Sequence, residues 1–224
     1  LLKGVDPGKD QSYFLYGLNQ EQICSALFPI GDLEKPSVRD RAEKLGFDIF
    51  DKKDSTGICF IGERDFKEFL QQYIPAQPGI IVTSSGTKVG DHDGLMYYTL
   101  GQRKGLGIGG GHGDGEGAWY VLDKDLENNE LIVGQGHDHA GLYQKRLTAS
   151  DLHWISGEAP NNENLKAKIR YRAQDAICRI TELNNTEISI EFEEPRFAIA
   201  PGQSVVFYSE NICLGGAIID KAFN

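Results

Sequence analysis

Absences narrow this sequence first. No apolar run approaches the ~20 residues a membrane-spanning helix needs, which excludes a helical span within these 224 residues. No secretory signal pattern opens the chain; it starts at Leu1 without an initiator methionine and reads as part of a longer protein. The four cysteines, Cys24, Cys59, Cys178 and Cys213, form no C-x-x-C pair. That spacing speaks against a zinc site or a disulfide scaffold and for the reducing cytoplasm. Histidines number five, and "GHDHAG" offers only His137 and His139, too few ligands for a metal site by themselves. No Ser/His/Asp arrangement and no carboxylate pair has the look of a triad or a glycosidase.

Positive charge is also short, with 23 Lys and Arg against 33 Asp and Glu, a net −10. Indiscriminate nucleic-acid binding is disfavoured by that balance. The deficit is uneven, however: from residue 141 onward nine Lys and Arg face eleven Asp and Glu. A local anion-binding face therefore stays open.

What is present is an ordinary globular composition, 40% hydrophobic and 25% charged, enough for a real core. The first ~75 residues read as helical. "NQEQICSALFPI" starts with the capping residue Asn19, and "KPSVRDRAEKLGF" runs from Pro36 to a stop at Gly46, with Val38, Ala42 and Leu45 on one stripe. "RDFKEFLQQYI" repeats the pattern and ends at Pro75. After Pro78 the texture changes to short strands. "GIIVTSSGTKVGDHDG" and "AWYVLDKDLENNELIVG" predict hairpins, and the strands after residue 140 predict a small barrel. The expected fold is mainly β with a helical N-terminal segment (α+β), a small central β domain and a C-terminal β-barrel.

Three features could carry chemistry. Cys59, in "KDSTGICFIGERDF", lies between Gly57 and Gly62 and ahead of a helix start near Glu63, with Arg64 close by. A helix N-terminus and a cation lower a thiol pKa, yet Ile58 and Phe60 beside it equally suit a buried, inert cysteine. Cys24, Cys178 and Cys213 sit among apolar residues and read as packing. The loop "GLGIGG" lacks a following G-K-[ST], so it reads as a loop that orders over a partner rather than as a nucleotide cradle. In "LKAKIRYR", strand alternation puts Lys166, Lys168, Arg170 and Arg172 on one face. RNA phosphates could neutralise that row, and so could Glu187, Glu191 and Glu193 on a neighbouring strand; spacing does not decide between them.

"GVDPGKDQSYFLY", "LFPIGDLEKPSVRDRAEKLG", "KDSTGICFIGERDFKEFL", "GQRKGLGIGG", "KIRYRAQDA" and "PGQSVVFY" through "CLGGAII" together resemble the tRNA-specific 2-thiouridylase family, along essentially the whole chain. The resemblance implies three parts: the end of an adenine nucleotide α-hydrolase-like catalytic domain (1–62), a central β domain (63–135) and a translation-factor-like barrel (136–224). It implies a catalytic Cys59 that carries persulfide sulfur and ends in a disulfide with a second cysteine outside this sequence. It also implies tRNA contacts at Lys9, Asp10, Gln11, Arg170, Tyr171 and Gln203. ATP and Mg would bind the absent N-terminal domain, leaving no cofactor on this portion. tRNA and a sulfur-relay protein are the expected partners. Alone, the portion is expected to be inactive, and a tRNA-holding module with a structural Cys59 is the alternative.

Overall fold

A computed structural model describes residues 1–53, 69–70, 72–109, 117–161 and 163–224. The chain forms two units, Leu1–Lys52 with Gln144–Asn224, and Lys53–Tyr143. The Cys59 motif and the third expected helix, apart from a few residues at its end, fall outside the described residues, as does the end of the glycine-rich loop.

In the first unit, α1 (Ser12–Leu15), α2 (Gln20–Cys24) and α3 (Lys35–Lys44) lead into the barrel strands. Asn19 caps α2 as the sequence predicts. Its side chain accepts from the Gln22 backbone N–H, and the Gln22 side chain accepts from the Asn19 N–H. The helix is shorter than expected, though, ending at Cys24 with no buried residue. Cys24 is therefore exposed, which corrects its reading as a packing residue. The Val38–Ala42–Leu45 stripe of α3 is likewise not a core face, since no residue of this helix is buried and Leu45 is 72% exposed.

The barrel is closed, with strand order β10-β5-β8-β7-β6-β9. Its strands are β5 (Tyr143–Trp154), β6 (Leu165–Lys168), β7 (Ala176–Leu183), β8 (Glu187–Phe197), β9 (Ser204–Ser209) and β10 (Ile212–Phe223). Leu147, Leu165, Ile190, Phe192, Val205 and Phe207 fill the interior. The run "VVFY" of β9 is buried on both faces, because Val206 and Tyr208 point outward into a second cluster with Tyr13, Ile155 and Cys213. Such double burial turns strand alternation into a continuous apolar run. It also fixes the N-terminal segment against the outside of the barrel. Leu2 bridges to Ile212, the Cys213 N–H donates to the Leu1 carbonyl at 2.9 Å, and the Lys3 N–H donates to Asn211 at 2.8 Å.

The second unit is a four-stranded sheet of order β2-β1-β4-β3. Both expected hairpins form: β1 (Gly79–Thr83) with β2 (Lys88–His92), and β3 (Trp119–Asp125) with β4 (Glu130–Gln135). β1 and β4 run parallel and join the hairpins over a core of Ile81, Val121, Leu131 and Val133. The mainly-β, α+β expectation with a C-terminal barrel holds.

Candidate nucleic-acid interface

Residues far apart in sequence meet on the outside of the barrel. Asp6 makes the first tight turn, accepting from the Gly8 N–H at 2.8 Å and from the Lys35 N–H at 3.0 Å, which ties residues 6–9 to the start of α3. Asp10 follows and faces inward, buried to 7% exposure. Its Oδ1 accepts from the Gly4 N–H at 3.1 Å and the Ser12 N–H at 3.0 Å, and its Oδ2 accepts from the Ser12 hydroxyl at 2.9 Å. Burial raises the pKa of this carboxyl, but those hydrogen bonds and the Lys168 charge more than offset it, leaving it below the usual carboxylate range.

Lys168, on β6, reaches Asp10 at 3.6 Å and Asp175 at 3.7 Å, and Lys3 pairs with the other oxygen of Asp175. Both ammonium groups lie over the Tyr208 ring, at 4.2 Å for Lys3 and 5.2 Å for Lys168. Ser12 links this network to the Tyr208 hydroxyl at 3.2 Å.

The basic strand is thus neutralised differently from either expectation for Lys168. β6 lies between β7 and β9, so the glutamates of β8 are one strand too far away. Glu191 instead sits opposite Arg179 on β7, which donates to it at 2.6 Å. Strand β6 also ends at Lys168. Beyond it Arg170 is half-buried and donates to the Ala198 carbonyl at 2.7 Å, while Arg172 takes a left-handed φ of 64° and is exposed.

The residues expected to bind RNA come together in part. The Gln11 side-chain amide donates to the Tyr171 hydroxyl at 2.7 Å. Gln203 is exposed beside Ser204, whose carbonyl accepts from the Tyr13 hydroxyl at 2.8 Å and whose hydroxyl meets Tyr16 at 3.1 Å. Lys9 lines an open cleft with Asp6, Lys35, Pro36, Arg39 and Asp40. Burial and the neighbouring Lys9 and Arg39 charges lower the Lys35 pKa, a sign of crowded cations.

Sequence reasoning named Tyr171 but missed two other aromatic members of this face, Tyr13 and Phe14. Phe14 packs against Tyr171 with ring centroids 4.7 Å apart and meets Tyr13 edge-on at 5.3 Å. The available signal was the density of rings in "SYFLY", directly after the lysine-bearing turn.

The buried thiols are inert by comparison. Burial pushes Cys178 up to about 12 and Cys213 up to about 11. Among the described residues, no group of three or more His, Cys, Asp or Glu side chains could hold a metal ion, and no helix is long and apolar enough to cross a membrane.

The closed barrel thus carries on its outer wall a strapped-on segment that bears cations and aromatic rings. Three family models match in succession: a tRNA methyl transferase HUP domain over residues 1–63, a tRNA methyl transferase PRC-barrel domain over 67–135, and an aminomethyltransferase beta-barrel domain over 144–219. The chain is 58% identical to the tRNA-specific 2-thiouridylase of Methylococcus capsulatus over all of its own length and 61% of that protein's. It is 59% identical to that of Haemophilus influenzae KW20, covering 98% of this chain and 57% of the relative. Against Salmonella typhimurium LT2 the figures are 57%, 99% and 60%. The chain belongs to the tRNA-specific 2-thiouridylase family and spans about three-fifths of the length of the curated relatives it matches.

Proposed function

We propose that this chain serves the 2-thiolation of a tRNA uridine: it holds the tRNA, and Cys59 carries the sulfur. The observation that carries the reading is the meeting of residues 9–11 with residues 170–171 through the Gln11–Tyr171 hydrogen bond. These are the segments that the family resemblance assigns to tRNA. Lys9, Gln11, Arg170, Tyr171 and Gln203 then face the RNA, with phosphates positioned by charge-assisted contacts. Asp10 belongs to the same segment, and its inward carboxylate acts by fixing where Lys9 and Gln11 point.

Residues 1–62 would complete a catalytic domain, 63–135 would form the central domain, and 136–224 would present the barrel. A sulfur-relay protein in the cytoplasm loads the Cys59 thiolate as a persulfide. Its outer sulfur forms the new bond to C2 of the uridine as the activated O2 departs. A second thiol then attacks the Cys59 sulfur, which breaks the S–S bond, releases the thiolated base and leaves a disulfide. ATP with Mg supplies the activation of O2. Following the family resemblance, ATP, Mg and the second thiol are assigned to residues outside this chain, and the isolated chain is inactive.

The test is 2-thiouridine in bulk tRNA, quantified by mass spectrometry in cells that lack their own enzyme. The full-length gene is supplied as wild type, Cys59→Ser or Cys178→Ser. Loss with Cys59→Ser alone, at equal protein levels, supports the sulfur-carrier role. Normal thiolation with Cys59→Ser overturns it and leaves a tRNA-holding module with a structural cysteine.

A further inference from the structure

Phe14 is an exposed ring on a rigid mount. It is 58% exposed although it lies in α1 and packs against Tyr13, which is buried at 5%, and against Tyr171. Its edge-on contact with Tyr13 and its tilted contact with Tyr171 restrain the ring from two sides. Tyr13 is anchored in turn by its hydroxyl on Ser204, and Tyr171 by the Gln11 amide. The guanidinium of Arg172 stands 5.1 Å from the centre of the Tyr171 ring. Around Gln11, whose amide also donates to the Lys9 carbonyl at 3.5 Å, the face continues into the cleft of Lys9, Lys35 and Arg39. Asp6 and Asp40 line the same cleft; Asp6 is engaged by the backbone N–H groups of Gly8 and Lys35.

We infer that Phe14, backed by Tyr171, is a stacking platform for one unpaired RNA base, with the flanking phosphates running between Arg172 and the Lys9–Lys35–Arg39 cleft. The inference rests on the RNA-binding reading above and adds to it a residue and a mode of recognition. Unpaired bases are held by rings whose faces are open, and each such stack contributes to affinity whatever the base. The Arg172 guanidinium beside Tyr171 and the lysines of the neighbouring cleft suit an RNA strand better than an apolar protein partner.

The test uses the full-length protein and a hairpin RNA with a seven-nucleotide anticodon-type loop, carrying 2-aminopurine at successive loop positions. With the wild type, one loop position changes its fluorescence on binding. Phe14→Ala binds about tenfold more weakly, loses that change and keeps the salt dependence of binding, because no charge is removed. Phe14→Trp restores both affinity and signal. Equal affinity and equal signal for wild type and Phe14→Ala, with unchanged thermal midpoints, overturn the platform and leave the RNA reading standing. No RNA binding by the wild type overturns both. A wild-type dimer in sedimentation that Phe14→Ala dissolves, with RNA binding unchanged, overturns the platform in favour of a second copy on this face.

Discussion

Asp10 and Lys168 stand 3.6 Å apart, one in the turn ahead of α1 and the other at the end of a barrel strand. The carboxylate also takes three hydrogen bonds from Gly4 and Ser12, so its charge both orders the N-terminal segment and helps hold it to the barrel. Replacement by Asn keeps the shape and removes the charge. Asp10→Asn is expected to cost roughly 1.5–3 kcal/mol at neutral pH, the range for hydrogen bonds to charged groups. The Asp10 pKa is lower folded than unfolded. The stabilisation is therefore full above the unfolded carboxylate value of about 3.9 and disappears as pH falls through the folded value. Urea midpoints of the two proteins should differ by a constant amount from pH 7 to 5, and the gap should narrow progressively as pH falls below about 4. A gap as wide at pH 3 as at pH 7 would rule out this account.

Lys168 and Arg172 separate structural from RNA-facing charge. Lys168→Ala leaves Asp10 without its cation, and it is expected to lower the urea midpoint. Arg172 is exposed over the Tyr171 ring, so Arg172→Ala should leave the midpoint unchanged and reduce the slope of log affinity against log salt by about one. RNA titrations at four salt concentrations, paired with urea melts, read both effects. A steep loss of slope with Lys168→Ala would reverse the assignment.

Thiol reactivity should follow burial. At pH 7.5 iodoacetamide is expected to modify the exposed Cys24 within minutes. Cys178 and Cys213, pushed up to about 12 and about 11, stay untouched until the protein unfolds. Peptide mass spectrometry against these internal standards then ranks Cys59. Labelling faster than Cys24 suits a sulfur carrier, and protection like that of Cys178 suits a packing residue.

Gly215 tests the barrel wall. Its φ is +146°, and an added Cβ would lie 2.1 Å from the His153 carbonyl on the paired strand. Gly215→Ala is expected to cost at least about 2 kcal/mol, combining backbone strain with a displaced strand. Gly157→Ala, at φ +83° with nothing within 4 Å, carries only the strain, about 1–2 kcal/mol. Thermal midpoints of the two variants should rank in that order.

Local features were the legible ones. Asn19 announced the cap of α2, and the two hairpins followed from turn residues next to alternating strands, because a turn and its flanks are one short stretch. Alternation in "LKAKIRYR" set Ala167, Ile169 and Tyr171 opposite the cations; Ala167 and Ile169 are buried, whereas Tyr171, beyond the end of β6, is only half-buried. What those cations pair with was not legible, since it depends on strand order: Lys168 meets aspartates at positions 10 and 175, not the glutamates of β8. The parallel pairing of β1 with β4 is non-local in the same way. Helix length failed at residues 25–30, where apolar residues suggested continuation but no described element covers them; Leu27 is 91% exposed. Phe14 was illegible as a site because an exposed ring and a core ring are the same letter. The family resemblance supplied the expected contact residues, and the fold supplied the reason that positions 11 and 171 meet.

The split of the first unit into Leu1–Lys52 and Gln144–Asn224 has a consequence for biosynthesis. Residues 53–143 are contiguous and can fold as soon as they leave the ribosome, whereas the segment bearing Lys9, Gln11 and Phe14 must wait. Its docking surface includes Val206, Tyr208 and Cys213, which are made long after it. At ~5–20 residues per second, the N-terminal segment remains undocked for roughly ten seconds or more after it emerges. A nascent chain stalled before residue 200 would therefore carry a finished central sheet and an undocked N-terminal segment.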